Sequence, residues 1–141
     1  MILFAPVPLR AYISQRFGEN PYRYGYGPRG HMGIDFGGVG VGTLVYAALP
    51  GLATVRDFGT GAYGLSVWID CGPWREGEVV LIYGHLSRVF YSERDVRSGD
   101  VLGLTGDTGN CDGAHLHFEV RVNGQQMDPE PWMQDAWEYR G

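Results

Sequence analysis

The sequence predicts an all-β domain, and its glycine content, turn signals and β-prone segments carry that prediction. The chain has 141 residues, of which 23 are glycine and eight are proline, and these punctuate it too often for long helices. Its length suits one domain built on a single core. We therefore expect one compact antiparallel β domain over residues 1–141, with tight turns and one short C-terminal helix.

The first half of the chain contains short strand candidates separated by loops. A strand is expected from Tyr12 to Phe17. The segment GENPYRYGYGPRG that follows is interpreted as a loop because of its Gly, Asn and Pro content. In TLVYAALPGLATVRDFG, Pro50-Gly51 marks a turn between two apolar runs. These patterns predict strands on both sides of that turn.

The second half contains longer β-prone segments. LSVWIDC and EVVLIYGHL are rich in β-branched and aromatic residues, and VLGLTG is a shorter candidate. The charged run from Ser92 to Asp100 is interpreted as a solvated connection. AHLHFEVRVNGQQM alternates and then turns at Asn123-Gly124, the best hairpin signal in the chain. Asp128-Pro129 predicts the start of the terminal helix.

Charge and hydropathy argue against two classes of partner. The chain has sixteen acidic and eleven basic residues, which gives a net charge of -5, and it has no Lys/Arg cluster. We therefore expect no nucleic-acid partner. No run approaches the roughly 20 apolar residues that span a bilayer, and we expect no membrane insertion. The opening MILFAPVPL lacks a basic start and a cleavage site, so no signal peptide is expected.

The four histidines are the main candidates for metal binding and catalysis. In AHLHFEV, strand geometry places His115 and His117 on one face. In HMGID, Asp35 follows His31 by four residues, roughly 13 Å along a straight strand, so both side chains reach one metal only if Gly33 provides a bend. Two histidines and one Asp satisfy the three-ligand count of a catalytic zinc site. The two other histidines would remain for proton transfer and oxyanion stabilisation.

The segments GHMGIDFG, YGHL and GAHLHFEV, in that order, resemble the lysostaphin-type zinc endopeptidases, also called the LytM-like family. The family pattern is H-x-G-x-D, then a lone His in a strand, then H-x-H, and the resemblance runs from about Phe17 to Glu119. It implies an antiparallel β fold of the duplicated-hybrid-motif type, with zinc at the bottom of a substrate groove. It also implies hydrolysis of a peptide bond in the stem peptide or cross-bridge of bacterial peptidoglycan.

Carried over residue by residue, the resemblance makes His31, Asp35 and His117 the ligands of one Zn²⁺. It leaves His85 and His115 as unligated catalytic residues. A zinc-activated water would be the nucleophile, one histidine would accept its proton and aid the leaving amine, and the other would steady the oxyanion. We favour His115 as the base.

Several neighbouring residues have two interpretations. Glu119 shares the face of His117 and either orients an imidazole or is a surface carboxylate. Tyr83 either packs in the core or donates to the oxyanion. The loop from Tyr22 to Tyr26 either walls the cleft or is an ordinary surface loop.

The two cysteines also have alternative interpretations. Cys71 and Cys111 are the only cysteines and belong to no CxxC motif, so two free thiols are favoured over a disulfide. Relatives commonly have S-T-G-x-H before the second histidine motif, where this chain has GNCDGAH. Cys111 is therefore a buried small residue, half of a disulfide, or a thiol near the metal.

The resemblance implies a peptidoglycan peptide as the partner, and we expect a monomer. We expect a phage lysin or virion-associated enzyme, made in the cytoplasm and acting on the cell wall, or an excised domain of a secreted hydrolase. Two alternatives come from other classes. One is a non-catalytic relative that regulates another wall hydrolase, and the other is a virion structural protein that zinc stabilises.

Overall fold

Ten strands and one helix make up residues 1–137, the part of the chain that the computed structural model describes. The strands pair antiparallel, which confirms the predicted all-β class with one short terminal helix. The one-domain prediction over residues 1–141 includes residues 138–141, which lie outside the described part, and it stays a prediction. The elements are β1 (Tyr12–Gln15), β2 (Ile34–Gly37), β3 (Leu44–Tyr46), β4 (Gly51–Asp57), β5 (Leu65–Trp74), β6 (Gly77–Val89), β7 (Glu93–Val96), β8 (Val101–Thr105), β9 (Leu116–Val122), β10 (Gln125–Met127) and α1 (Glu130–Trp137).

The strand order brings the three histidine segments together. The sheet runs β1-β2-β9-β6-β5-β4-β7, with β10 paired to β9 and β8 paired to both β3 and β6. β2 carries Asp35, β9 carries His117 and β6 carries His85. Three segments far apart in the chain are thus neighbours at the centre of the sheet.

Alternation along these central strands separates the core from the site. On β2, Ile34 and Phe36 are fully buried in the hydrophobic core on either side of Asp35. Because successive side chains of a strand point to opposite faces, Asp35 points to the other face. The same alternation on β9 sends Leu116, Phe118 and Val120 into the core and His117 and Glu119 to the opposite face.

Tyr83 belongs to that core. Its side chain is fully buried, and its hydroxyl accepts a hydrogen bond of 2.7 Å from the Ala48 N–H. Burial raises the pKa of the phenol. These contacts confirm the core interpretation of Tyr83, since Gly84 and not Tyr83 pairs with His117 across the β6–β9 ladder.

Both predicted local signals near the C-terminal end are confirmed. Asn123 and Gly124 have φ values of 51° and 81°, the left-handed pair that a type I′ hairpin turn requires. They join β9 to β10. At the start of α1, Asp128 Oδ1 accepts a hydrogen bond of 3.1 Å from the Glu130 N–H, which satisfies one of the free donors of the first turn.

One local prediction is wrong and one boundary differs. The run from Ser92 to Asp100 contains β7, which pairs with β4 along Gly51–Thr54. Three of the four β7 residues are exposed, so the charged pattern reflects an edge strand whose side chains meet water while its backbone completes a ladder. The first strand ends at Gln15 and not at Phe17. Within residues 1–137, no helix has the length and apolar character needed to cross a bilayer.

Candidate metal centre

Three side chains converge as a compact donor set. His31 Nε2 lies 3.2 Å from Asp35 Oδ1 and 3.2 Å from His117 Nδ1, and His117 Nδ1 lies 2.8 Å from Asp35 Oδ1. A tetrahedral zinc ion bound at about 2.0 to 2.2 Å separates its ligand atoms by about 3.3 to 3.6 Å. The donor set can therefore hold a metal ion after its atoms separate by a few tenths of an ångström.

The strand register and a bend position these donors. Asp35 pairs directly with His117 across the β2–β9 ladder. His31 precedes β2, and the chain bends at Met32 and Gly33, so that its imidazole reaches Asp35 four residues later. This confirms the predicted bend. A Cβ atom on Gly33 would lie 2.5 Å from the Phe118 carbonyl oxygen, so glycine is also required here by the close approach of β9.

Outer hydrogen bonds hold one nitrogen of His31 and one of His117, and the other nitrogen of each ring faces Asp35. His31 Nδ1 lies 3.2 Å from the Arg16 carbonyl oxygen, and His117 Nε2 lies 2.9 Å from Glu119 Oε1. Carbonyl and carboxylate oxygens accept hydrogen bonds, so Nδ1 of His31 and Nε2 of His117 carry protons. Their other nitrogens point at Asp35 and are the ones that would release a proton to bind a metal. Such an outer contact is usual for metal-binding histidines.

The electrostatics of the centre favour a cation. Burial opposes ionisation of Asp35, but hydrogen bonds from His117 and His31 outweigh it and hold the pKa of the carboxyl well below its usual range. Burial likewise disfavours charged His117, yet its hydrogen bonds with Asp35 and Glu119 raise its pKa to about 9. In the absence of a metal, a proton on His117 thus supplies the positive charge that the two carboxylates require.

Glu119 is held by two further side chains. It is 2% exposed, and its Oε1 accepts a hydrogen bond of 2.7 Å from the Tyr63 hydroxyl. Arg121 donates from Nε to Glu119 Oε2 at 3.3 Å and from Nη2 to the Tyr63 oxygen at 3.1 Å. This confirms Glu119 as a residue that orients an imidazole, and contradicts the alternative of a surface carboxylate.

Sequence reasoning missed Tyr63 and Arg121. Arg121 follows Glu119 by two residues on β9, so strand alternation was a usable signal for it. Tyr63 comes from the loop between β4 and β5 and has no such signal. Its carbonyl oxygen also accepts a hydrogen bond of 2.7 Å from the His85 N–H, so this one loop residue contacts both histidine strands.

The other two histidines lie beside the donor set. His85 adopts a φ of 64°, and its Nδ1 donates to the Thr108 carbonyl oxygen at 2.7 Å. Burial lowers the pKa of His85 to about 4. The His115 ring lies 4.9 Å from the His85 ring, centroid to centroid, and His115 Nε2 lies 3.6 Å from Asp35 Oδ2. Three histidines thus surround the Asp35 carboxylate, and His85 packs against His115 beside them.

These side chains form the floor of a groove of about 960 Å³. Tyr24 and Tyr26 line one wall, and residues 110–113 line another. Tyr26 donates a hydrogen bond of 2.9 Å to Gln15 Oε1, and its ring packs against His31 with centroids 5.3 Å apart. The aromatic loop therefore lines the cleft through two of its tyrosines, whereas Tyr22 does not line it.

Both cysteines are free thiols, which contradicts the disulfide alternative. Cys71 is half-buried on β5, and burial raises its pKa to about 12. Cys111 lies in the groove wall, with its Sγ 3.3 Å from His115 Nδ1 and 2.9 Å from the Gly113 carbonyl oxygen. The chain thus has a thiol at the candidate centre.

Known proteins are similar to this chain in sequence and in fold. Residues 29–129 match peptidase family M23. The chain is 38% identical to the DD-carboxypeptidase/endopeptidase Mpg of Neisseria meningitidis over 117 residues. This aligned segment covers 83% of the chain and 26% of Mpg. It is 31% identical over 119 residues to the murein hydrolase activator EnvC of Escherichia coli, covering 82% of the chain and 27% of EnvC. The chain thus spans about a quarter of the length of these relatives.

A solved structure supports the same grouping. The catalytic domain of the antimicrobial peptidase lysostaphin from Staphylococcus simulans superposes with a TM-score of 0.73 at 26% identity, covering 88% of the chain and 92% of that domain. The match over residues 29–129 includes the three donors, both other histidines and Glu119. The chain belongs to peptidase family M23, which confirms its resemblance to the lysostaphin-type endopeptidases.

Proposed function

We propose that this chain is a zinc-dependent endopeptidase that hydrolyses peptide bonds in the stem peptide or cross-bridge of bacterial peptidoglycan. The observation that carries the proposal is the convergence of four histidines and Asp35 on the floor of an open groove. The M23 family is generally zinc-dependent. The name of EnvC, a murein hydrolase activator, links one similar protein to the cell wall.

His31, Asp35 and His117 are the proposed zinc ligands. Three protein ligands leave a coordination position for water or substrate, whereas a structural zinc site closes its shell with four. Bound zinc would polarise the scissile carbonyl and lower the pKa of a water molecule to about 7. His31 Nε2 and His117 Nδ1 are the proposed donor atoms, because the other nitrogen of each ring donates a hydrogen bond outside the donor set.

His115 is the proposed general base. Its Nδ1 lies 2.8 Å from the Gly113 carbonyl oxygen and therefore carries the proton, which leaves a lone pair on Nε2. That nitrogen is 3.6 Å from Asp35 Oδ2, beside the donor set. The side chain is 20% exposed, so a proton taken from the attacking water can be passed on.

His85 is the proposed partner of His115. Its hydrogen bond to the Thr108 carbonyl oxygen leaves the lone pair on Nε2, and its lowered pKa keeps the ring neutral near pH 7. After it takes up a proton, an imidazole with a pKa of about 4 releases that proton readily. This property suits proton delivery to the leaving amine or a hydrogen bond to the oxyanion.

The groove supports a peptide as substrate. It is open to solvent and combines tyrosine rings with polar groups, features that suit an extended chain held beside strands. The cell wall is the proposed place of action and the peptidoglycan peptide the proposed partner, with the protein acting as a monomer.

Digestion of purified cell walls tests the proposal. The wild-type protein with one equivalent of zinc should release soluble peptide fragments, and a chelator or His115→Ala should abolish the release while the protein stays folded. Fragment masses from walls with glycine cross-bridges and from walls with direct cross-links identify the bond that is cut. A folded, zinc-loaded protein that releases no fragment from either wall would refute the proposal.

The similarity to EnvC favours a second candidate function, the activation of another wall hydrolase. An activator accelerates wall digestion only when that hydrolase is added. In that case the wild-type protein and the His115→Ala variant should accelerate digestion equally. An enzyme acts alone and depends on His115. The retained set of donors and unligated histidines supports the enzyme.

A further inference from the structure

A second group of donors lies in the groove, next to the proposed zinc ligands. Cys111 Sγ and one ring nitrogen from each of His85 and His115 lie within 4.8 Å of one another. Within this group, Cys111 Sγ lies 3.3 Å from His115 Nδ1. Zinc binds thiolate sulfur at about 2.3 Å and imidazole nitrogen at about 2.0 to 2.1 Å, so a single ion can contact sulfur and nitrogen at this separation.

We propose that Cys111, His85 and His115 form a second site for a thiophilic divalent metal ion such as Zn²⁺, and that occupation of this site inhibits the enzyme. The site shares no ligand with the group of His31, Asp35 and His117. Metal binding here is independent of the proposed function, whereas its inhibitory effect rests on that function.

The surroundings of Cys111 favour a cation over a bare thiolate. Burial raises the pKa of its thiol, and the carboxylates of Asp107, Asp35 and Asp112 raise it further. The same negative charges attract a divalent cation, which replaces the thiol proton and neutralises the sulfur. Cys111 and His115 are only half-buried, so an ion can enter from solvent.

The proton balance explains why a second ion would inhibit. In the metal-free protein, the Cys111 thiol and His115 Nδ1 both donate to the Gly113 carbonyl oxygen, at 2.9 and 2.8 Å. When an ion binds Sγ and Nδ1, the thiol proton leaves for solvent and the imidazole proton moves to Nε2. His115 Nε2 is then an N–H donor and no longer accepts a proton from water.

The same ion would also immobilise His85. The hydrogen bond from His85 Nδ1 to the Thr108 carbonyl oxygen leaves Nε2 as the free nitrogen, and its burial keeps the ring neutral. A neutral imidazole needs no deprotonation before it binds a metal. Both unligated histidines would thus become ligands, and the groove would lose its proton acceptor and its proton donor together.

Cadmium absorption tests the binding step. Cd²⁺ added to the chelator-treated protein should produce a sulfur-to-metal charge-transfer band in the ultraviolet. The band should be absent from Cys111→Ser and Cys111→Ala and present in Cys71→Ser, the matched control. It should persist in His31→Ala, which lacks a ligand of the first site. Absence of the band from the wild type, or its loss only with Cys71, would overturn the second site.

Zinc stoichiometry and zinc-dependent activity test the remaining steps. Native mass spectrometry at excess zinc should give two ions per chain for the wild type and one for Cys111→Ser. Wall digestion by the wild type should fall as zinc passes one equivalent, and Cys111→Ser should need at least about tenfold more zinc for the same fractional loss. Equal zinc inhibition of the two proteins would overturn the inhibitory role. A cadmium band in a protein that never digests walls would support the second site and contradict the proposed function.

Discussion

His117 donates a hydrogen bond from Nε2 to Glu119 Oε1 at 2.9 Å while its Nδ1 faces Asp35 Oδ1 at 2.8 Å. The buried carboxylate of Glu119 thereby keeps the proton on the side of the ring that faces away from the donor set. Glu119→Gln keeps the shape and removes the charge, so zinc affinity should fall by about 10-fold to 100-fold. Competition with a chromophoric chelator measures this change.

The matched control for Glu119→Gln is Glu93→Gln on the exposed edge strand β7. It removes the same charge from a side chain far from the centre in the sheet order, and zinc affinity should not change. Equal affinities for the wild type and Glu119→Gln would show that Glu119 does not orient His117 for metal binding.

Zinc affinity should rise with pH up to about 9. The pKa of His117 in the metal-free protein is raised to about 9, above the ordinary value of 6.5, because hydrogen bonds to Asp35 and Glu119 outweigh burial. Zinc must displace this proton, so affinity gains about tenfold per pH unit below pH 9 and levels off above it. Calorimetry in buffers of different ionisation enthalpy should detect about one proton released from His117 per zinc at pH 7.

The same shift determines the stability of the metal-free protein. Since the folded-state pKa is above the unfolded one, protonated His117 contributes its full stabilisation below pH 6.5, and this contribution is lost as pH rises through 9. Thermal unfolding of the chelator-treated protein should show this loss, and bound zinc should remove it. Zinc binding at pH 7 without proton release from His117 would contradict the shift.

Substitution of the paired histidines should separate metal binding from turnover. His117→Ala removes a proposed ligand, so the first zinc ion should be lost. His115→Ala should retain one zinc ion and lose about 10²-fold to 10⁴-fold in wall digestion, the usual contribution of a general base. Both substitutions are made in Cys111→Ser, which lacks the second site, and native mass spectrometry at one equivalent of zinc and fragment release measure the two effects. Loss of the first zinc ion in His115→Ala would contradict these assignments.

Gly33→Ala should destabilise the protein and weaken zinc binding. The new Cβ would meet the Phe118 carbonyl oxygen at 2.5 Å and Glu119 Cγ at 2.9 Å, so β2 and β9 must move apart, at a cost of about 1–3 kcal/mol. Urea unfolding measures the change. Gly27→Ala is the control, since its Cβ would meet nothing within 4 Å, and its free energy of unfolding should stay within about 1 kcal/mol of wild type. Similar values for both variants would refute the packing argument.

Local signals predicted those parts of the fold that depend on few neighbours. Asn123-Gly124 supplies the two left-handed residues of a tight hairpin, and Asp128 caps the helix that follows Pro129. Both act within a few residues, so the chain encodes them without reference to distant strands. Strand β7 was missed because its partner, β4, lies about 40 residues earlier in the chain.

The sequence by itself determined the family and predicted the five residues that converge in the groove, because the order and spacing of HMGID, YGH and HLH are specific in combination. Only the tertiary structure decided which nitrogen of each histidine is free, that Tyr63 and Arg121 hold Glu119, and that Cys111 faces His115. The physical reason is that side-chain alternation follows from local geometry. Hydrogen bonds and donor distances instead depend on strand register and on loops brought together from distant parts of the chain.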